Sequence, residues 1–165
     1  MTFRRVTFRR AAAAVLAGGA MVLVPSPARA DITAFIGSIR TAGSQNVRGV
    51  AVGGTLIVVG VEFEYANAPE DVAMPGLSTG TVSALFRTPT GRIQIYGTAG
   101  VGMYRETLGA LTNTNTTGCI GGGVTIGVAG PLRVRIDYRV ITLKNSMTPD
   151  TSTRQRVYAG ANVKF

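Results

Sequence analysis

The sequence predicts an all-β fold, an eight-stranded antiparallel up-and-down barrel that spans a bilayer. Three observations predict it. The first is the last segment. Val157, Ala159, Ala161, Val163 and Phe165 form an apolar alternate set, and Arg156, Tyr158, Gly160, Asn162 and Lys164 form a polar or small one. Strand side chains alternate faces, so this segment has one greasy and one wet side. Ends of soluble domains usually fray into water, whereas a closed barrel needs such a strand to seal against its first one. The second observation is that this alternation recurs along the chain, rich in Gly, β-branched and aromatic residues, while amphipathic helical periodicity is missing. The third is that long polar connections alternate with short turns, the order of a meander with loops on one rim and turns on the other.

The chain begins with a segment of different character. Arg4, Arg5, Arg9 and Arg10 precede an uncharged apolar run from Ala11 to Val24, then Pro25-Ser26-Pro27 and Ala28-Arg29-Ala30. A basic head, a short apolar run and small residues at −3 and −1 read as a secretory signal peptide over 1–30, cleaved after Ala30. The run is too short for the ~20 residues a membrane helix needs. The residues after each arginine pair fit a twin-arginine signal poorly, and no cysteine follows for lipid attachment. The expected mature unit is 31–165, a single domain.

Strand one is expected over about 32–39, and its facing stays open: Ile32, Ala34 and Ile36 compete with Phe35 and Ile39 for the apolar side. Strand two, about 48–54, puts Val50 and Val52 together. Strand three, about 57–66, sets Val61, Phe63 and Tyr65 against Glu62 and Glu64. Strand four, about 80–88, sets Val82, Ala84 and Phe86 against Thr81, Ser83, Leu85 and Arg87. Strand five, about 92–105, sets Ile93, Ile95, Ala99, Val101 and Met103 against Arg92, Gln94, Tyr96, Thr98 and Tyr104. Strand six, about 118–128, alternates Ile120, Val124, Ile126 and Val128 with Cys119, Thr125 and glycines. Strand seven is the clearest: Leu132, Val134, Ile136, Tyr138 and Val140 against Arg133, Arg135, Asp137 and Arg139. Strand eight is the closing segment. Polar loops are expected over 41–47, 67–79, 106–117 and 145–153, with tight turns near 54–56, 89–91 and 129–131.

Alternation alone leaves two barrels open. A soluble one, carrying a small apolar ligand, turns its apolar face inward; a bilayer-spanning one inverts that order. The apolar sets of strands five, seven and eight approach the ~9–11 residues a tilted strand needs to span. The polar sets complement one another: Glu62, Glu64 and Asp137 against Arg87, Arg92, Arg133, Arg135 and Arg139, a candidate salt-bridge network. Facing lipid at mid-depth, each Arg or Lys would cost ~2–4 kcal/mol. Eight strands leave an interior that side chains fill, so no large pore is expected.

Composition narrows the chemistry. The formal charge is +9, but five of the 17 basic residues lie in the leader, leaving 12 against 8 acids, a net +4. Basic residues alternate with apolar ones instead of clustering, so no nucleic acid partner is expected. One cysteine, Cys119, and no histidine exclude an internal disulfide, the usual zinc sets and a Ser–His dyad. Glu62 and Glu64 stand about 7 Å apart on one face, a conceivable acid/base pair for a lipid-acting enzyme. Salt bridging is the favoured role for them. The glycines at 97, 100 and 102 and at 121–123 interrupt strands, and no phosphate-loop Lys follows. No catalytic, cofactor or metal site is assigned.

Several stretches resemble a known family. Tyr96-Gly97-Thr98-Ala99-Gly100-Val101-Gly102 is similar to its Y-x-x-x-G-x-G strand. Gly121-Gly122-Gly123-Val124 followed by Arg135-Ile136-Asp137-Tyr138-Arg139 resembles its glycine strand and R-x-D-Y-R strand. Gly60-Val61-Glu62-Phe63-Glu64-Tyr65 resembles its G-x-E-x-E-Y strand, and the close, 156–165, its terminal insertion signal. The family is the eight-stranded outer-membrane β-barrel domain, outer-membrane protein A-like or opacity-protein-like, over about 32–165. The resemblance implies an outer-membrane location, contact with outer-membrane lipid, and insertion by the barrel-assembly machinery through Tyr158, Val163 and Phe165. No peptidoglycan-binding domain is expected after Phe165. A surface ligand of unknown identity would meet loops 67–79, 106–117 and 145–153. The expected role is a non-enzymatic one in envelope integrity or surface interaction.

Overall fold

The computed structural model describes residues 29–40, 43–71, 74–89, 91–147 and 152–165. Among them eight strands follow in chain order: β1 (Arg29–Arg40), β2 (Ser44–Leu56), β3 (Val59–Ala68), β4 (Gly76–Arg87), β5 (Ile93–Leu108), β6 (Leu111–Ala129), β7 (Leu132–Leu143) and β8 (Thr153–Lys164). Each pairs with its chain neighbour, and β8 closes onto β1 from Asp31↔Lys164 to Arg40↔Gln155, all antiparallel. Closure leaves no unpaired edge. The leader assigned to 1–30 lies outside the described residues up to 28; Arg29 and Ala30 already pair with Thr55 and Gly54.

The faces are inverted relative to a soluble barrel. Ile36, Val101 and Phe63 are 74%, 70% and 60% exposed on the outside, while Glu62, Asp137, Arg135 and Arg139 are shielded inside. The soluble barrel with an apolar interior is therefore overturned. The physical reason is charge placement: the acids and arginines of β3 and β7 find one another only in the lumen, so the apolar sets must face out.

The facing of β1 is settled too. Asp31, Thr33, Phe35 and Ile39 point inward, and Ile32, Ala34 and Ile36 outward. Phe35 fits inside because its neighbours are bare. Its register partners are Gly49 and Gly160; a Cβ on Gly49 would lie 2.4 Å from the Phe35 ring. The ring stacks on Tyr158 with centroids 4.0 Å apart.

The connections differ from expectation. The supposed loop 106–117 is mostly strand: β5 runs to Leu108, β6 starts at Leu111, and Gly109, with φ 58°, makes the turn. Thr112, Thr114 and Thr116 are β-branched and suit a strand, but this hairpin has no apolar side, so the alternation signal is silent there. Pairing continues through Glu106↔Asn113 and Thr107↔Thr112. The loop placed at 67–79 shrinks to 69–75, with 72–73 outside the described residues, because β3 and β4 pair out to Ala68↔Leu77. The loop placed at 145–153 becomes 144–152, with 148–151 outside them. The polar start of β2, Ser44–Val47, pairs with β1 and is not loop.

Candidate functional site: the charged lumen

Among the described residues the interior buries five carboxylates, Asp31, Glu62, Glu64, Glu106 and Asp137, and five guanidiniums, Arg87, Arg135, Arg139, Arg154 and Arg156. Equal numbers make the buried set neutral. It forms three tiers; four of the acids are reached by an arginine from a strand that is not their neighbour, and Asp137 is held by Arg135 and Arg139 of its own strand.

The central tier grows from the alternation of β7. Arg135, Asp137 and Arg139 share its inner face, so one acid stands between two bases. Asp137 accepts hydrogen bonds from Arg135 Nη2 at 3.0 Å and from Arg139 Nε at 2.9 Å. Across the lumen, Glu62 of β3 accepts from Arg139 Nη2 at 2.6 Å, from Arg135 Nη2 at 3.2 Å, and from Arg135 Nη1. β3 and β7 stand opposite in the barrel order, so these contacts brace facing walls. Glu64 accepts from Arg156 of β8 and lies 3.2 Å from Arg139 Nη1.

Two tyrosines complete this tier. The Tyr96 hydroxyl accepts from Arg135 Nε at 2.6 Å and donates to Asp137. The Arg135 guanidinium lies 4.5 Å from the Tyr96 ring centroid, within cation–π range. The Tyr158 hydroxyl donates to Glu64 at 3.4 Å. Space comes from β6: a Cβ on Gly123 would lie 2.5 Å from the Tyr96 hydroxyl, and one on Gly121 2.8 Å from Arg139 Cγ.

The outer tiers are simpler. Toward the turns, Arg87 Nη1 of β4 donates to Asp31 Oδ2 of β1 at 2.6 Å. Toward the loops, Glu106 of β5 accepts from Arg154 of β8, from Ser146 Oγ at 2.9 Å and from the Met147 backbone N–H at 2.8 Å. One carboxylate thus ties the segment after β7 to the barrel mouth.

The residues singled out in the sequence are distributed as follows. Glu62, Glu64, Arg135, Asp137 and Arg139 meet in the central tier. Arg87 pairs with Asp31 instead of Glu62 or Glu64. Arg133 is half-buried and donates to Gln94 Oε1 at 2.6 Å; Arg92 is exposed at a turn and donates to the Gly127 carbonyl at 3.1 Å. Neither Arg92 nor Arg133 joins the ionic network among the described residues: a backbone carbonyl and a carboxamide take their guanidiniums, and the acid at the turn end, Asp31, is taken by Arg87. Of the three residues assigned to an insertion signal, Tyr158 points into the lumen, Val163 lies opposite Ile32 and Leu132, and Phe165 is exposed at the turn rim. Sequence reading missed Asp31, Glu106 and Arg154. Parity would have found Asp31, which shares its face with Thr33 and Phe35.

As chemistry, the arrangement is a set of locked ion pairs. Both candidate acid/base residues, Glu62 and Glu64, are occupied by guanidiniums. Cys119 is buried, with Sγ 3.7 Å from Ser83 Oγ. No group of three or more metal-ligating side chains suited to an ion occurs among the described residues.

No protein-family model matches the chain, and no curated protein sequence does. Solved structures do. The chain is similar to Neisserial surface protein A, with 18% identity over 85% of this chain and 98% of that one and a TM-score of 0.66. It is similar to the N-terminal β-barrel domain of Pseudomonas aeruginosa OprF, with 17% identity over 83% and 97% and a TM-score of 0.62. The fold is that of the eight-stranded outer-membrane barrels. A de novo designed transmembrane β-barrel is also similar, at 15% identity over 83% and 95% with a TM-score of 0.55. That last likeness shows that the outer-membrane-barrel fold stands without any natural role attached.

Proposed function

We propose that this chain is a non-enzymatic protein of the outer membrane, exported by the leader 1–30, with a structural or surface-interaction role. The observation that carries the reading is the inversion itself, an apolar exterior around a neutral, ion-paired lumen. Such a lumen braces the wall and leaves neither a free general base nor room for solute flux. After cleavage the unit would be 31–165. Insertion would proceed through the barrel-assembly machinery acting on β8, with Val163 and Phe165 on its outer face and Tyr158 behind them. A surface ligand would meet the loop rim, formed by the 69–75 connection, the tip of the β5–β6 hairpin and the segment 144–152.

Cell fractionation with detergent extraction tests the reading. The chain is expected in the outer-membrane fraction, released only by detergent, and to migrate differently before and after boiling. Recovery as a detergent-free periplasmic protein overturns it. Intact mass tests the leader: the mature chain should begin at Asp31.

A further inference from the structure

Where the wall meets the loop rim, one buried oxygen is left without a donor. Gln45 stands at the start of β2, faces inward and is 4% exposed. Its Nε2 donates to the carbonyls of Pro69, Met74 and Pro75 at 3.4, 3.4 and 3.1 Å. Carbonyls accept only from the nitrogen, so these contacts fix which way the carboxamide lies. Its Oε1 is buried and has no hydrogen-bond partner among the described residues. A buried acceptor in that state costs about 1–3 kcal/mol, and the carbonyl contacts on Nε2 keep it from turning away.

Gln45 lines a pocket of about 180 Å³ together with Ser44, Asn46, Pro69, Glu70 and Asp71. Two carboxylates line it, and no Lys or Arg does. The backbone sets both acids in place. Asp71 and Met74 exchange N–H to carbonyl hydrogen bonds of 3.1 Å each, which fold the 69–75 connection back on itself. Glu70 Oε1 accepts from the Gly109 N–H at 2.8 Å, which ties this carboxylate to the tip of the β5–β6 hairpin. A carboxylate has two oxygens and can serve an N–H and a cation together. No three of His, Cys, Asp and Glu converge on an ion among the described residues; here the third donor is a carboxamide oxygen. A donor set made of oxygen alone, on a loop, is the chemistry of a hard cation.

We propose that this pocket is a Ca²⁺ site, with Gln45 Oε1 and the carboxylates of Glu70 and Asp71 as protein ligands and water completing the shell of about 6–8 oxygens. Charge selects a cation over water alone: a water satisfies the carboxamide but leaves two neighbouring carboxylates to repel each other. Geometry selects Ca²⁺ over Mg²⁺. Mg²⁺ holds its own waters in a near-ideal octahedron, whereas Ca²⁺ accepts an irregular set that includes a recessed carboxamide oxygen. The bound ion joins three parts of the rim: the start of β2, the 69–75 connection and, through Glu70, the β5–β6 hairpin. The shape of the loop surface is thereby set by the cation. The site requires the folded barrel and not its location, so it stands beyond the membrane reading.

The test is calorimetric titration of CaCl₂ into the mature chain, refolded in lipid-free zwitterionic detergent micelles and stripped with EDTA, at fixed ionic strength. One ion per chain should bind with a Kd of about 10⁻⁴–10⁻³ M, the range of extracellular Ca²⁺ modules. The Glu70→Gln/Asp71→Asn double variant should bind at least about tenfold more weakly, and Gln45→Leu, which keeps both acids, about tenfold more weakly. Saturation should also slow hydrogen exchange at the Gly109 amide, and NaCl in place of CaCl₂ should not. No saturable heat up to about 10 mM Ca²⁺, or full binding by the double variant, overturns the proposal. So does a loss in the double variant with Gln45→Leu unchanged, since that marks attraction to two surface carboxylates only. Boiling-dependent mobility reports folding of each variant. Should Gln45→Leu not fold, Gln45→Asn, which withdraws the oxygen by one methylene, carries the same expectation. A folded barrel that binds no Ca²⁺ defeats this inference and leaves the membrane reading standing.

Discussion

Glu62 accepts hydrogen bonds from both Arg135 and Arg139, so removing its charge leaves Arg135 with Asp137 as its one carboxylate and Arg139 with Asp137 and Glu64. Breaking one partner of a buried pair costs about 3–5 kcal/mol, whereas removing both partners is far milder. Glu62→Gln should therefore lower the unfolding free energy in detergent by that amount, measured by urea titration. Glu62→Gln combined with Arg135→Gln should recover part of it, the signature of a coupled pair. A second residue is strained in the opposite sense. Ile57, at the β2–β3 turn, has φ 57° and is 72% exposed. The left-handed conformation costs a β-branched residue about 1–2 kcal/mol, and Asn tolerates it. Ile57→Asn should raise stability by ~1 kcal/mol in the same titration; a loss would mean that the exposed side chain has a packing role. At this scale β7 was legible, because Arg135, Asp137 and Arg139 alternate with a clean apolar set. The partners of Arg87 and Arg154 were not, because pairing across a lumen depends on barrel closure and stagger, which parity within one strand does not contain.

The glycines of β6 act through their missing side chains. Gly123 leaves the space that the Tyr96 hydroxyl occupies, and a Cβ there would also meet the Ile136 carbonyl oxygen at 2.2 Å. Gly123→Ala should destabilise the barrel by about 1–3 kcal/mol through overpacking, while Ala at Gly109 should act through its positive φ alone and leave the lumen untouched. Comparing Tyr96 fluorescence in the two variants separates these causes: only the β6 change should perturb it. Sequence reading recognised these glycines as interruptions within strands; what each makes room for required the register Tyr96↔Gly123. The neighbouring hairpin shows where the strand signal fails. Apolar alternation exists because lipid faces one side, so it disappears where β5 and β6 rise past the belt. Hydrogen exchange should find the amides of the Thr107↔Thr112 pairing protected, whereas a polar loop over 106–117 would exchange freely.

On the scale of the whole barrel, the ion pairs act as struts. Glu62 to Arg135 and Arg139, Arg87 to Asp31, Arg156 to Glu64 and Arg154 to Glu106 each join strands that share no ladder. Backbone hydrogen bonds close the wall along its circumference, and the charged set ties it across the diameter, so collapse or ovalisation must separate buried opposite charges. Chain length, eight alternating segments and face inversion were readable before any register was known, because they follow from the solvent on each side of the wall. The same layout decides permeability. At mid-height the lumen holds six coupled ionic groups and two tyrosines, which argues against a continuous aqueous path, and a neutral set attracts neither anions nor cations into it. In planar bilayers the barrel should therefore show no steady nanosiemens-scale conductance. The Glu62→Gln variant, with guanidiniums freed from one wall, should show more frequent small openings than the unsubstituted chain. Large, stable channels in the unsubstituted protein would mean that the central tier yields under voltage and that its contacts are a gate instead of a brace.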